Sequence, residues 1–202
     1  MYTLPCALLI AGLATACACQ EDPLQPAPGA TDRPAEASAP SSSTPVAPVP
    51  ADVHPPPALV AKEQLEAQFP KTIGEWSRIE LRSVVQKIGE GGVIHEVQQT
   101  RGVYQIGDGQ PMIFVSVLDS RGLKSTHGTF LQMHDHPNYG ITPFVHQDQP
   151  ALEQYWPSPL NTVLMTLVSD RFLLIIEGEG SDQATVKKFL EALDIKAIAA
   201  LK

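Results

Sequence analysis

Proline is concentrated in one part of this chain, and its distribution limits where a folded domain can lie. Residues 20–57 contain eleven of the nineteen prolines, mixed with alanine, serine and threonine. Such a segment has too few large apolar side chains to offset the entropy cost of ordering, so we expect a disordered tether with polyproline character. A single domain is then expected at residues 58–202, a length sufficient to bury an ordinary hydrophobic core.

An almost unbroken apolar run, from Leu4 to Cys19, precedes the tether. It is about 16 residues long, whereas a membrane-spanning helix needs roughly 20, so removal after export is favoured over a permanent span. The run contains the segment Ala14-Thr15-Ala16-Cys17, in which small residues precede a cysteine. This pattern resembles the lipobox of bacterial lipoproteins. The resemblance implies a signal peptide and anchor within residues 1–19, with a diacylglyceryl group on Cys17.

Two features of the leader depart from the lipoprotein pattern. No lysine or arginine precedes the apolar run, and Ala14 occupies a position that is usually leucine. Cys19 is the alternative lipid acceptor, and a plain secretory signal or a short uncleaved anchor are the alternative interpretations of the segment. Because Ala18 and not an acid follows Cys17, the resemblance implies an exported protein facing the periplasm, with the outer membrane favoured over the inner.

Cysteine placement and charge exclude several functional classes for the domain. Cys6, Cys17 and Cys19 are the only cysteines, so residues 58–202 have no disulfide, no thiol catalysis and no cysteine-ligated zinc. The net charge is −8 and no basic cluster is present, which argues against nucleic acid or anionic lipid headgroups as partners. Membrane attachment is therefore expected to come from the acyl chains.

Periodicity within residues 58–202 predicts helices at both ends of the domain and strands between them. A helix is expected at Ala58–Phe69, and Ile73 to Trp76 is expected to be a loop that brings the indole onto the core. A second helix is expected after its cap at Ser181, with Val186, Phe189, Leu190 and Leu193 on one face, followed by an amphipathic turn at Ile195, Ile198 and Leu201.

Two hairpins are the clearest strand signals. The first pairs Val93–Ile106 with Pro111–Leu118, and the second pairs Thr162–Val168 with Phe172–Ile176. Both strands of the second hairpin are apolar on both faces, which indicates strands at the centre of a sheet with other elements packed on both faces. In the first hairpin, Met112, Phe114 and Leu118 lie on the face opposite Ile113, Val115 and Val117, so both of its faces are also expected to be covered. Between the hairpins we expect a short helix over 122–133 and strands near Ile141–His146 and Leu152–Trp156.

This order predicts an α+β domain: a mainly antiparallel β-sheet with N- and C-terminal helices packed on it. It loosely resembles small bacterial envelope domains of the PsbP/Mog1/LpqN type. That resemblance is at the level of the fold and implies a non-catalytic accessory or binding role.

Four histidines within twenty residues suggest an alternative function in metal binding. His134 and His136 flank Asp135, a spacing that places both imidazoles on one side of an extended segment, and His127 or His146 would supply a third ligand. Copper, zinc and nickel accept imidazole readily. The same segment contains Pro137, Asn138 and Gly140, so solvent-exposed loop histidines are the competing interpretation, and no cofactor is then needed.

Three aromatic residues are candidates for contact with a partner. Tyr155 and Trp156 precede Pro157-Ser158-Pro159, which would hold both rings in a rigid turn suited to a glycan or a protein, and Trp76 is the third candidate. Closing the end of the core is the competing role for all three.

No sequence pattern for catalysis is found. The segment from Glu177 to Asp182 lacks the glycine that a dinucleotide loop needs at position 183, and no G-x-S-x-G elbow exists. Glu177 and Glu179 alternate onto one face, but two acids at a strand end are usually solvated. The sequence therefore predicts a lipid-anchored envelope protein that binds an unidentified envelope protein or small ligand and is not an enzyme; the alternative is a periplasmic metal-binding protein using the His127–His146 loop.

Overall fold

The structure is a computed structural model that describes residues 58–202, apart from 91, 110, 122, 136, 138 and 139. The signal peptide predicted over 1–19 with Cys17 and Cys19, the tether predicted over 20–57, and His136 lie outside the described residues. Eight strands and four helices occur in the described part. In chain order they are α1 (Lys62–Glu66), β1 (Thr72–Ile73), β2 (Trp76–Glu90), β3 (Val93–Gln105), β4 (Met112–Asp119), α2 (Lys124–Asp135), β5 (Ile141–His146), β6 (Gln149–Pro157), β7 (Leu160–Val168), β8 (Phe172–Glu179), α3 (Gln183–Ala192) and α4 (Ile195–Ala199).

The strands form one antiparallel sheet in the order β1-β2-β3-β4-β8-β7-β6-β5, curled into half of a barrel. Each of the two predicted hairpins is present, as β3–β4 and β7–β8, and β8 pairs with β4 at the centre of the sheet. The mainly antiparallel α+β architecture predicted from the sequence is confirmed.

Helices α1, α3 and α4 contribute to the main core on the first face of the sheet. Phe189 of α3 is fully buried there, with its ring edge-on to Trp76 at 5.5 Å and to Tyr104 at 5.2 Å between centroids. The Tyr104 hydroxyl donates to the Pro70 carbonyl at 2.9 Å, and burial raises the pKa of that hydroxyl to about 12. This confirms the helices packed on the sheet and the position of the Trp76 indole on the core.

Helix α2 packs on part of the second face. Its Phe130 lies in a second core cluster with Leu118, Leu152 and Met165, from strands on both sides of β8. Alternation of side chains along β4 places Phe114 on this same face, but Phe114 is only half-buried, whereas Leu118 is 4% exposed. The expectation that both faces of the first hairpin are covered is therefore wrong at the Phe114 end.

Three features differ from the sequence prediction: the extent of the first helix, the cap of α3 and the presence of β2. The first helix spans only Lys62–Glu66, because Ala61 has extended backbone and the chain turns after Glu66. Asp182, and not Ser181, caps α3, because its carboxylate accepts the Thr185 amide at 2.8 Å while Ser181 is buried. Strand β2 was not predicted at all; most of its side chains are exposed or half-buried.

None of the helices in the described part of the chain has both the length and the apolar character needed to cross a bilayer.

Candidate binding groove

The half of the second face built from β2, β3 and β4 forms an open groove of about 370 Å³. Its lining is every second residue of β2 from Glu80 to Gln86, every second residue of β3 from Gln99 to Val103, and Phe114 of β4. These residues share a face because strand side chains alternate and the register pairs Glu80 with Val103 and Val103 with Phe114.

Two arginines stand directly opposite each other in the groove. Arg82 of β2 is the register partner of Arg101 of β3, and both side chains line the groove. Arg82 is exposed and Arg101 is half-buried. The groove therefore contains two arginines at facing positions on neighbouring strands.

The Arg101 guanidinium lies over an aromatic ring. Its central carbon is 4.3 Å from the centroid of Phe114, within the distance at which a cation is attracted to a ring face. The Nε atom of Arg101 is buried and has no hydrogen-bond partner among the described residues. The ring fixes the plane of the guanidinium but offers that N–H no acceptor.

Apolar and amide side chains complete the lining. Val103 is 8% exposed, and Val84 and Phe114 are half-buried, so they give the groove an apolar wall. Gln86 and Gln99 are hydrogen-bonded to each other through their side-chain amides. The groove thus combines an apolar wall, an amide pair and two positive charges, of which that of Arg101 is held over Phe114.

Acidic groups also lie on this face. Glu80 lines the groove, and Glu177, the register partner of Phe114, is 9% exposed. Glu179 follows two residues later, opposite Met112. The lining residues comprise two arginines and one carboxylate, so their net charge is positive.

The aromatic residues singled out in the sequence lie at three different places. Trp76 is 7% exposed and belongs to the main core. Tyr155 is 37% exposed, while the adjacent Trp156 packs against the second core cluster. The prediction that one rigid turn holds Tyr155 and Trp156 together is wrong, because both lie within β6, where neighbouring side chains point to opposite faces.

The histidines are likewise separated. His134 lies in α2, stacked on Phe130 at 6.4 Å between centroids, with its Nδ1 3.2 Å from the Asp135 carboxylate. The extended geometry predicted for His134 and Asp135 is wrong, because α2 continues through both. His146 ends β5. Within the described ranges, no three His, Cys, Asp or Glu side chains are grouped so that they would hold a metal ion.

His127 contacts a buried serine. The Ser120 hydroxyl donates to the Arg171 carbonyl at 2.6 Å and lies 3.0 Å from Nε2 of His127. Since the hydroxyl has a single proton, Nε2 is the donor to Ser120, and it is not free to act as a base toward it. Burial lowers the pKa of His127, against the opposing charges of Asp170 and Glu90. The pair holds α2 against the turn before β8.

The groove residues were not singled out from the sequence, because recognising them requires strand β2 and its register. No protein-family model, no curated protein and no solved structure matches this chain.

Proposed function

We propose that this protein is an exported, lipid-anchored binding protein of the cell envelope, whose domain takes up a ligand in the β2–β3–β4 groove. The observation that carries the binding role is the groove itself, which is lined by two facing arginines and an apolar wall. The anchor is supported by the sequence around Cys17 and by the proline-rich segment that follows it.

The groove side chains are suited to holding a ligand. Guanidinium and amide groups donate hydrogen bonds in fixed directions, and valine and phenylalanine contribute contact area. The volume of about 370 Å³ falls in the size range of small-molecule sites, so a small ligand is favoured over a protein surface.

The anchor and tether would place this groove away from the membrane. At about 3.1 Å per residue, a fully extended segment of some 40 residues reaches about 120 Å, and the working span is shorter because the prolines are not continuous. A tethered domain of this kind would sample the periplasm while staying attached to one membrane, with the outer membrane favoured.

The anchor is tested by mass spectrometry of the mature protein and by fractionation of two variants. We expect the mature chain to begin at an acylated Cys17, the Cys17→Ala variant to lose membrane association, and the matched Cys19→Ala variant to keep it. A mature protein with an unmodified N-terminus further along the chain would remove the anchor from the proposal, and the reverse behaviour of the two variants would assign it to Cys19.

The binding role is tested by filling the groove. The purified full-length mature protein is incubated with a small-molecule extract of the envelope, separated from free compounds by gel filtration, and analysed for retained compounds. Val84→Trp places an indole in the groove, and Val85→Trp is the matched control because the adjacent Val85 points to the opposite face and is 53% exposed. We expect retention by the wild type and by Val85→Trp only; no retention by the wild type, or equal retention by Val84→Trp, contradicts a binding groove.

A further inference from the structure

The arrangement of Arg82 and Arg101 is unfavourable without a partner. Like charges directly opposite each other on neighbouring strands destabilise a sheet, whereas opposite charges at such positions stabilise it. Elsewhere on the same pair of strands the favourable arrangement is present, since Lys87 is the register partner of Glu96. A like-charged pair at an open groove is a local conflict of the kind that marks a functional site.

The hydrogen-bonding state of Arg101 points in the same direction. Buried polar groups in native proteins almost always have a partner, and each exception calls for an explanation. The Nε–H of Arg101 is such an exception among the described residues. Its guanidinium is also held over Phe114 at 4.3 Å, which restricts the directions in which its N–H groups point.

The chemistry of the missing acceptor follows from these donors. A guanidinium fork matches the two oxygens of a carboxylate or phosphate, and an anion between two guanidinium groups would replace their repulsion with two attractions. Beside the arginines, Val84, Val103 and Phe114 offer an apolar wall, which suits a ligand with an apolar body. Glu80 lies two residues before Arg82 on the same face of β2, so the lining also holds one carboxylate beside the arginines.

We propose that the groove binds small organic anions, with a carboxylate or phosphate held between Arg82 and Arg101 and the apolar body of the ligand lying against Val84, Val103 and Phe114. This inference rests on the proposed function, since it names the ligand class for the same groove. It assigns Arg101 as the main anion-binding residue and Arg82 as its partner.

The test is a titration of the full-length mature protein with 2-naphthoate and with its neutral counterpart 2-naphthamide, followed by NMR of backbone amides and of the arginine Nε–H groups. Inorganic phosphate is titrated separately to compare the two anion types. The variants are Arg101→Gln and Arg82→Gln, and Lys87→Gln is the matched control because it removes one positive charge from β2 outside the groove.

We expect naphthoate to shift the Arg101 Nε–H signal and to bind at least about tenfold more tightly than naphthamide, the factor that one charge-assisted hydrogen bond supplies. Arg101→Gln and Arg82→Gln should each weaken naphthoate binding by about tenfold or more, and Lys87→Gln should leave it within about twofold.

Equal affinity for naphthoate and naphthamide, unchanged by the arginine substitutions, would overturn the anion assignment and leave the groove as an apolar binding site. The same weakening by Lys87→Gln would also overturn it, since binding would then follow overall charge. Absence of binding by both probes and by phosphate would overturn the anion assignment, and the envelope-extract experiment with Val84→Trp would then decide the proposed function separately.

Discussion

Asp119 and Arg171 form a two-pronged ion pair at the end of the sheet where β4 meets β8. Nε of Arg171 lies 2.8 Å from Oδ1 of Asp119, and Nη2 lies 2.8 Å from Oδ2. Asp119 is fully buried. The same groups hold the first described residues, since Asp119 accepts the Val60 amide at 2.9 Å and Arg171 donates to the Ala58 carbonyl at 2.7 Å. The pair thus holds the N-terminal end of the described domain against this end of the sheet.

We expect the loss of this ion pair to lower the free energy of unfolding. Asp119→Asn leaves the Arg171 guanidinium without its charged partner in a buried setting, which typically lowers the free energy of unfolding by about 3–5 kcal/mol. Lys62→Gln is the control, because it removes the exposed 3.8 Å pair with Glu63, and such pairs contribute about 0–1 kcal/mol. Urea unfolding of the three proteins measures both effects. A loss below about 1 kcal/mol for Asp119→Asn would show that the pair is not the stabilising contact described here.

Hydrogen exchange gives a second readout for Asp119→Asn. The Val60 amide is buried and bonded to the Asp119 carboxylate, so its exchange should accelerate more than that of amides at the opposite end of the sheet. Uniform acceleration across the domain would instead indicate a global loss of stability.

Gly178 of β8 is required by close packing. A Cβ at this position would clash with Cγ2 of Val186 and lie 3.0 Å from Cδ1 of Ile113, so these side chains or the backbone that carries them must shift. We expect Gly178→Ala to destabilise the protein by about 1–3 kcal/mol, as overpacking does. Adding Val186→Ala should recover part of that loss in the double variant, whereas additive losses would contradict direct contact.

Gly128 offers a matched control for this substitution. It lies in α2, and a Cβ there would meet nothing within 4 Å. Gly128→Ala should therefore stabilise the protein by about 0.5–1 kcal/mol, through the lower conformational entropy of alanine in the unfolded chain. Chemical unfolding of both alanine variants should give shifts of opposite sign.

The central strands were predictable because their residue pattern indicates burial on both faces. Residues 162–168 and 172–176 are apolar on both faces, and only strands covered on both sides accommodate that pattern. Helix α3 was predictable for a similar reason, since Val186, Phe189 and Leu190 recur on one face. Strand β2 gave no such signal. From Arg78 onward it is an edge strand, because β1 pairs only with Trp76 and Ser77, so much of it faces solvent.

The groove was missed as a direct consequence of missing β2. Once Glu90 is paired with Val93, counting back along β2 and forward along β3 by equal steps places Arg82 opposite Arg101. The register was therefore recoverable from the hairpin turn, given the strand. Which part of the second face α2 would cover was not recoverable, because the local sequence of α2 does not specify where it docks. That docking leaves Phe114 half-buried and Leu118 covered.

The docking of α2 is expected to depend on pH through His127. Burial lowers its pKa, so the folded state favours the neutral imidazole. A group whose pKa is lower in the folded state stabilises that state at pH values above its pKa in the unfolded chain, which is near 6.5 for histidine. This stabilisation is lost as the pH falls from the unfolded-state pKa through the lower folded-state pKa. We expect the wild type to lose more stability than His127→Gln between about pH 7.5 and pH 5.

Urea unfolding of both proteins across this pH range isolates the histidine, because the other titrating groups are common to both. An NMR titration should in addition place the pKa of His127 below its usual value. A stability difference between the two proteins that does not change with pH would contradict this account.

The repulsion between Arg82 and Arg101 should be measurable in the ligand-free protein. Arg82→Thr removes a like charge opposite Arg101 and should raise the free energy of unfolding by about 0.2–1 kcal/mol. Lys87→Thr is the control, because it introduces the same residue on the same strand and therefore a similar gain in strand propensity. It removes an attraction to Glu96, however, so its free energy of unfolding should be lower than that of Arg82→Thr by about 0.2–1 kcal/mol. The Arg82 and Lys87 side chains are both exposed, so the difference between the two variants should shrink in about 1 M salt, where exposed charges are screened within roughly 3 Å.

Equal effects of the two substitutions at low salt would show that the facing arginines do not repel each other. The case for an anion between them would then rest on the unpaired Nε of Arg101 alone.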